Sequence, residues 1–174
     1  MKNCVVDAEI SAKLEKDGFA IVPFCSSEQI EKLAELYKTI PADASSPFWS
    51  SSFLSDTEFK INLSKAAESI LGDNVKLLLG GHKSLGSSFL VKFPGEYSEM
   101  PIHQDWTVVD ESKFGSYTFW IPLIDTTSDN GALQVIRGSH KLIGQLRSPS
   151  IPVAFENIRA ELRPYLETIT LKAG

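Results

Sequence analysis

The chain has 174 residues, of which 43% are hydrophobic and 22% are charged, and its formal net charge at pH 7 is −5. That length suffices for one domain with its own core, and an acidic chain without a Lys/Arg cluster is not expected to bind nucleic acid. Its two cysteines lie outside any metal-binding or redox spacing, which indicates reduced thiols in a cytoplasmic protein. We find no secretory-signal pattern and no stretch of about 20 apolar residues, so we expect no membrane partner.

The N-terminal part of the chain is predicted to begin with two helices. A short helix is expected around Ser11–Lys16, and "GFAIVPF" is interpreted as a short strand after it. A second helix starts with Ser26 as its cap and Gln29 three residues later, which is the pattern of a capping box. Apolar residues then recur at helical spacing until Pro41, which cannot continue a helix.

Residues 41–57 are rich in Ser, Pro and Asp and are interpreted as a loop. Within it, "SSPFWSSSF" is either a mobile lid or a plain surface loop, and composition favours the surface loop. A third helix is predicted from about Glu58 to Leu71, with Ser55 in the capping box and Gly72 as its stop.

After Gly72 the sequence consists of short runs rich in β-branched and aromatic residues, separated by turn signals. Six runs are predicted strands: "VKLLLG", "SFLVKF", "MPIHQDW", "SYTFWIPLI", "ALQVIR" and "LETITL". Short strands at this spacing are typical of a barrel or a jelly roll. We therefore predict one mostly β domain over residues 1–174, in which a helical part, 1–72, packs on jelly-roll strands formed by 73–174.

The segment "MPIHQDWTVVD" carries the pattern that indicates chemistry. His103 and Asp105 are two residues apart, and alternate residues of a strand point to the same face. Two histidines and one carboxylate with open positions form the ligand set of non-haem Fe(II) oxygenases. An isolated H-x-D is more often a solvated or structurally paired histidine, so both interpretations stay open at this point.

From Phe89 onward the chain resembles the phytanoyl-CoA dioxygenase family, a branch of the Fe(II)/2-oxoglutarate oxygenases. The resemblance lies in "FLVKFPGE", "HQDW", "FWIPLIDTTSDNGALQVIRGSHK" and "LETITLKAG", and "LEKDGFAIVPFCSSEQIEKL" resembles the opening of that family. It implies a cupin-like double-stranded β-helix, or jelly roll, with a metal between its sheets. It also implies a dioxygenase that uses Fe(II), 2-oxoglutarate and O₂ to hydroxylate an unactivated C–H bond of a small-molecule or acyl substrate.

The resemblance assigns roles to four residues. His103 and Asp105 match the first two metal ligands, and Gln104 between them matches the H-Q-D pattern of the family. Gln104 and Trp120 are assigned to 2-oxoglutarate binding, although Trp120 is equally interpreted as a core aromatic. The third ligand, a distal histidine, and the cation for the far carboxylate of 2-oxoglutarate are expected beyond Gly174. We therefore expect an N-terminal portion of a longer oxygenase, with the jelly roll incomplete at its C-terminus.

Several other polar residues have simpler interpretations. His140, in "RGSHK", matches a family motif that is not a ligand position and is interpreted as a loop-ordering or pocket-edge residue. His82 is interpreted as an exposed turn residue, and Glu111 as solvated. Lys92 and Arg137 are each either inward cations that bind a carboxylate or, more commonly, outward charges on a half-solvated sheet.

Two alternative functions remain compatible with the sequence. The first is a non-catalytic β-helix binding domain, or an inactive fragment that lacks the third metal ligand. The second is a metal-dependent cupin-like enzyme of another reaction class, which needs further inward His or Glu residues that the sequence does not show. Loop contacts decide substrate choice on such folds, so sequence leaves the substrate and the oligomeric state open.

Overall fold

A computed structural model of the chain describes residues 4–41, 46–94, 98–142, 147 and 155–174. Within them the α-helices are α1 (Ala8–Asp17), α2 (Ser27–Lys38), α3 (Thr57–Leu78) and α4 (Arg159–Leu162). The strands are β1 (Phe48–Ser50), β2 (Leu90–Lys92), β3 (Leu133–Val135) and β4 (Glu167–Ile169). Short 3₁₀ turns cover Ser51–Phe53, Ser139–Lys141, Glu156–Ile158 and Arg163–Tyr165. No helix in this described part is both long and apolar enough to cross a lipid bilayer.

The first two helices form where they are predicted because their N-termini are capped locally. The Asp7 carboxylate accepts hydrogen bonds from the backbone N–H groups of Glu9 and Ile10. The Ser26 hydroxyl accepts from the Gln29 N–H while the Gln29 side chain accepts from the Ser26 N–H. The predicted capping box is therefore confirmed.

The third helix is longer than predicted. The cap of α3 is Asp56 rather than Ser55, and its carboxylate accepts from the Phe59 N–H at 2.9 Å. The predicted stop at Gly72 is wrong, because α3 continues to Leu78 and turns most of "VKLLLG" into helix rather than strand. A glycine inside a helix costs only about 1 kcal/mol relative to alanine, which other contacts can outweigh.

Contacts with α2 and the segment before it hold the last turns of α3. The Gln29 side-chain amide donates to the Ile70 carbonyl at 2.8 Å and to Asn74 Oδ1 at 2.9 Å. Asn74 Nδ2 in turn donates to the Phe24 carbonyl. These partners are more than 40 residues apart in sequence, so a local pattern around Gly72 could not indicate them.

Two antiparallel two-stranded sheets are present in the described residues. β1 pairs with β2, with Trp49 opposite Val91. β3 pairs with β4, with Gln134 opposite Thr168. The described ranges contain no closed barrel, so the predicted double-stranded β-helix is not visible in them.

The strand predictions are partly confirmed. β2, β3 and β4 lie within "SFLVKF", "ALQVIR" and "LETITL". The prediction is wrong for "GFAIVPF", "MPIHQDW" and "SYTFWIPLI", which contain no strand. Many β-branched and aromatic residues indicate that a segment can form a half-buried strand. A strand also needs a neighbouring strand that pairs with its backbone.

The main core lies between α2, α3 and the β1–β2 sheet. Ile40, Trp49 and Leu63 are buried there, and Trp49 is only 6% exposed. The half-buried side chains around them are Leu36, Tyr37, Leu54, Phe59, Phe89, Val91 and Phe93. Interpreting all of 41–57 as a loop is therefore wrong, because β1 lies within it and Trp49 is a core residue. Residues 42–45 of this segment lie outside the described residues.

The C-terminal end of α1 packs on the turn at residues 137–140. The Arg137 guanidinium binds the Asp17 carboxylate at 2.6 Å and Glu167 on β4 at 2.7 Å. Gly18 has φ +84°, and a Cβ added to it would lie 2.4 Å from Nδ1 of His140. The imidazole therefore occupies the space above a residue that has to be glycine, and this contact joins α1 to the second sheet.

Candidate metal centre

The structure brings His103 and Asp105 together. Nε2 of His103 lies 3.5 Å from Oδ1 of Asp105, and the two side chains are 34% and 63% exposed. Burial alternates along residues 102–105, with the second and fourth of them exposed, as expected where alternate side chains share one face. The pair is therefore open to a ligand from solvent.

The backbone determines which nitrogen of His103 faces Asp105. Nδ1 lies 2.7 Å from the carbonyl oxygen of Pro101. A carbonyl only accepts hydrogen bonds, so Nδ1 carries a proton, and in the neutral ring Nε2 keeps its lone pair. Metal-binding histidines commonly donate their other ring N–H to a carbonyl or carboxylate in this way.

Thr118 holds the second oxygen of Asp105. Its hydroxyl donates to Oδ2 at 2.9 Å, while Oδ1 faces His103. Thr118 lies 13 residues after Asp105, in a segment whose composition gives no sign of this contact. The carboxylate is therefore oriented by a residue that the sequence did not single out.

His103 and Asp105 change each other's proton affinity. The hydrogen bond to Asp105 raises the pKa of His103, against the opposing effect of burial. The same contact lowers the pKa of Asp105, with help from the Thr118 hydroxyl and the charge of Arg147. Both shifts favour the charged pair in the metal-free protein, where a proton on Nε2 competes with a metal for the same lone pair.

The donor set of this pair fits a divalent ion such as Fe(II). Two ligand atoms that lie about 2.1 Å from one ion, at right angles, are about 3 Å apart, and the observed separation of Nε2 and Oδ1 is 3.5 Å. A mixed imidazole and carboxylate set is typical of non-haem iron. The described residues contain no group of three or more His, Cys, Asp or Glu side chains that could hold one metal ion.

Gln104 lies on the other side of this segment. Its side-chain N–H donates to the carbonyl of Ser139 at 3.0 Å, in the turn that packs on α1. Its Oε1 is buried and has no hydrogen-bond partner among the described residues. This contact connects the H-x-D segment to α1, and the assignment of Gln104 to 2-oxoglutarate binding stays a prediction.

Trp120 is half-buried and lies two residues after Thr118. The residue between them, Phe119, packs on Phe24 with ring centroids 5.1 Å apart. The assignment of Trp120 to the cosubstrate stays a prediction.

Arg147 is a neighbour of the pair that sequence reasoning missed. Its Nε donates to the carbonyl oxygen of Asp105 at 2.7 Å, and a terminal nitrogen donates to Oε1 of Glu111 at 2.5 Å. Glu111 is exposed, as its interpretation as a solvated residue predicts, and it also forms an ion pair with Arg147. Asp105 and Arg147 are 42 residues apart, so no local signal could have connected them.

Other residues considered from the sequence have structural contacts. Nε2 of His140 donates to the Glu15 carbonyl at 3.2 Å, which agrees with its interpretation as a loop-ordering residue. His82 is exposed, and its Nδ1 contacts the carbonyl of the C-cap residue of α3. Lys92 is exposed and donates to the carbonyl of Gly131 at 3.3 Å. These contacts stabilise turns and helix ends.

Comparison with known protein families gives a match over most of the chain. A model described as phytanoyl-CoA dioxygenase (PhyH) matches residues 14–163. That range contains His103, Asp105, Gln104 and Trp120, together with the Thr118 and Arg147 contacts to Asp105. No curated protein and no solved structure matches the chain.

Proposed function

This chain belongs to the phytanoyl-CoA dioxygenase family, and we propose that it acts as an Fe(II)- and 2-oxoglutarate-dependent dioxygenase. Members of this family are in general Fe(II)- and 2-oxoglutarate-dependent oxygenases. We propose further that the chain takes the cupin-like double-stranded β-helix of the family and hydroxylates an unactivated C–H bond of a small-molecule or acyl substrate. The observation that supports this best is the pairing of His103 Nε2 with Asp105 Oδ1 at 3.5 Å.

In this proposal His103 and Asp105 would hold the iron, with Nε2 and Oδ1 as the donor atoms. Bound iron and 2-oxoglutarate supply a reaction in which O₂ converts C–H to C–OH, with succinate and CO₂ as the other products. The Pro101 carbonyl holds the proton of the imidazole on Nδ1, which leaves Nε2 available. Thr118 holds Oδ2 of the carboxylate, which leaves Oδ1 facing the histidine.

We propose that Gln104 and Trp120 contribute to 2-oxoglutarate binding, because both match positions of the family pattern. The assignment of Gln104 rests on its match to the H-Q-D pattern of the family, because its buried Oε1 can only accept a hydrogen bond and the oxygens of 2-oxoglutarate are acceptors as well. Trp120 offers a half-buried aromatic face two residues from Thr118. The proposal also requires a third ligand and a cation for the far carboxylate, and neither is assigned to a described residue.

Conversion of 2-oxoglutarate to succinate in the presence of Fe(II), without added substrate, tests the proposal. We expect the wild type to form succinate slowly and Asp105→Ala to form none above background, because the site then lacks its carboxylate ligand and holds Fe(II) weakly. The control is Asp73→Ala, which removes an exposed carboxylate of α3 that pairs with Lys76 and should keep the wild-type rate. Equal rates in wild type and Asp105→Ala, or no Fe(II)-dependent succinate from the wild type, would contradict the proposal.

A further inference from the structure

We infer that Arg147 is a positioning residue for the candidate metal centre. Its guanidinium holds the main chain at Asp105 and thereby sets the direction in which the Asp105 carboxylate faces His103. This inference rests on the proposed function, because it concerns the same two ligands. It adds a residue that lies outside the H-x-D motif and does not itself contact the ion.

Arg147 is bound to the H-x-D segment by both its backbone and its side chain. Its N–H donates to the Thr107 hydroxyl at 3.0 Å, and its carbonyl accepts from the Thr107 N–H at 3.1 Å. Its Nε donates to the Asp105 carbonyl at 2.7 Å, and a terminal nitrogen donates to Glu111 at 2.5 Å. Arg147 therefore binds this segment at Asp105, Thr107 and Glu111, and Asp105 is a proposed metal ligand.

The chemistry of the guanidinium suits this role. It is planar and always charged, and its N–H groups point in fixed directions, so Nε and a terminal nitrogen can bind the Asp105 carbonyl and the Glu111 carboxylate together. Hydrogen bonds from a charged donor are shorter and stronger than neutral ones. The Arg147 side chain is only 22% exposed, which limits screening by water and salt.

Asp105 is thereby held from two sides. Arg147 binds its backbone carbonyl, and Thr118 binds Oδ2 of its side chain. If the backbone contact is lost, Thr118 still anchors one oxygen while the backbone at Asp105 can shift. Oδ1 then turns relative to His103, and a displacement of about 1 Å is enough to weaken a metal site.

Three variants separate this role from a general contribution to folding. Arg147→Gln removes both the charge and the planar guanidinium. Arg147→Lys keeps the charge but lacks the planar guanidinium. Glu111→Gln is the matched control, since it weakens the other contact of the same guanidinium and leaves the bond to Asp105. The thermal unfolding temperature of each metal-free variant shows whether it folds.

Two measurements report on the site. The first is a Co(II) titration followed by visible absorption, whose ligand-field bands depend on the ligands and their geometry. We expect Arg147→Gln to bind Co(II) about tenfold to a hundredfold more weakly than the wild type, as other contacts that orient metal ligands do. Arg147→Lys should lose part of this affinity, and Glu111→Gln should stay close to the wild type.

The second measurement needs no metal. Long-range ¹H–¹⁵N spectra record the ring nitrogens of the three histidines, and His103→Gln identifies the signals of His103. We expect the His103 signals to move in Arg147→Gln, because Asp105 no longer faces Nε2 in the same way. The signals of His82 and His140 should stay in place, and Glu111→Gln should leave all three unchanged.

The outcomes distinguish the inference from the proposed function. Unchanged His103 signals in Arg147→Gln overturn the inference, as does an equal loss of Co(II) affinity in Glu111→Gln. If Arg147→Gln does not fold, Arg147→Lys decides, and His103 signals identical to the wild type then overturn it. A wild type that binds no Co(II) contradicts the proposed function instead, and the metal-free spectra still decide whether Arg147 positions Asp105.

Discussion

His103 donates from Nδ1 to the Pro101 carbonyl and so presents Nε2 to Asp105, which receives the Thr118 hydroxyl on its other oxygen. Each of these hydrogen bonds determines one direction of a ligand atom. A metal site needs ligand directions as well as ligand types, because ions of similar charge are distinguished by geometry. At the scale of residues, the candidate centre therefore includes Pro101 and Thr118 as well as the two proposed ligands.

Thr118→Val tests the contribution of this orientation. Valine keeps the size and branching of threonine but cannot donate to Oδ2 of Asp105, so the carboxylate is free to rotate. We expect the affinity for Fe(II) to fall about tenfold to a hundredfold, measured by anaerobic calorimetric titration. Thr39→Val is the control, because the Thr39 hydroxyl donates to the Leu36 carbonyl at the end of α2 instead. Unchanged affinity for Fe(II) in Thr118→Val would show that Thr118 does not orient Asp105.

The sequence indicated the two proposed ligands but not the residues that orient them. His103 and Asp105 could be paired from the sequence because residues two apart share a face in extended backbone, which is a local property. Thr118 and Arg147 are 13 and 42 residues from Asp105, and only the fold brings them to it. The ion pair of the exposed Glu111 was not predicted for the same reason, since its partner Arg147 is distant in sequence.

At the scale of elements, α1 depends on its contact with the turn at 137–140. Asp17 is only 8% exposed and forms an ion pair with Arg137, which also lies over the ring of Phe19 at 4.9 Å. The same turn accepts the Gln104 amide at the Ser139 carbonyl. The turn at 137–140 therefore contacts both the end of α1 and the H-x-D segment.

Gly18→Ala should destabilise the protein, and Gly72→Ala should stabilise it. Gly18 has φ +84°, and its Cβ would meet the His140 ring, so we expect a loss of about 2 kcal/mol in the free energy of unfolding. Gly72 lies inside α3 with open space around it, so alanine there should gain about 1 kcal/mol. Urea unfolding followed by circular dichroism measures both, and the same sign for both changes would contradict the assigned contacts.

The elements that sequence predicted well are those with local causes. The capping box of Ser26 and Gln29 marks the start of α2 and is complete within four residues. The end of α3 depends instead on the contact of Asn74 with Gln29, and β1 depends on pairing of Trp49 with Val91. Both partners are distant in sequence, so composition around Gly72 and around the serine-rich segment gave wrong predictions.

At the scale of the whole molecule, long-range hydrogen bonds connect Gly174 to the segment between α1 and α2. The backbone N–H groups of Phe24 and Cys25 both donate to the Gly174 carbonyl, and the Gly174 N–H donates to Pro122. The sequence motifs indicated the family, and the family match over residues 14–163 confirms it. The described strands form two separate pairs, and the complete jelly roll stays a prediction.

Anaerobic binding of Fe(II) to the wild type and to His103→Ala tests the proposed metal centre most directly. We predict one Fe(II) bound per chain in the wild type, removable by EDTA, and no saturable binding in His103→Ala. His82→Ala, which removes an exposed histidine at the end of α3, should bind as the wild type does. Absence of Fe(II) binding by the wild type, or binding by His103→Ala equal to that of the wild type, would contradict the account.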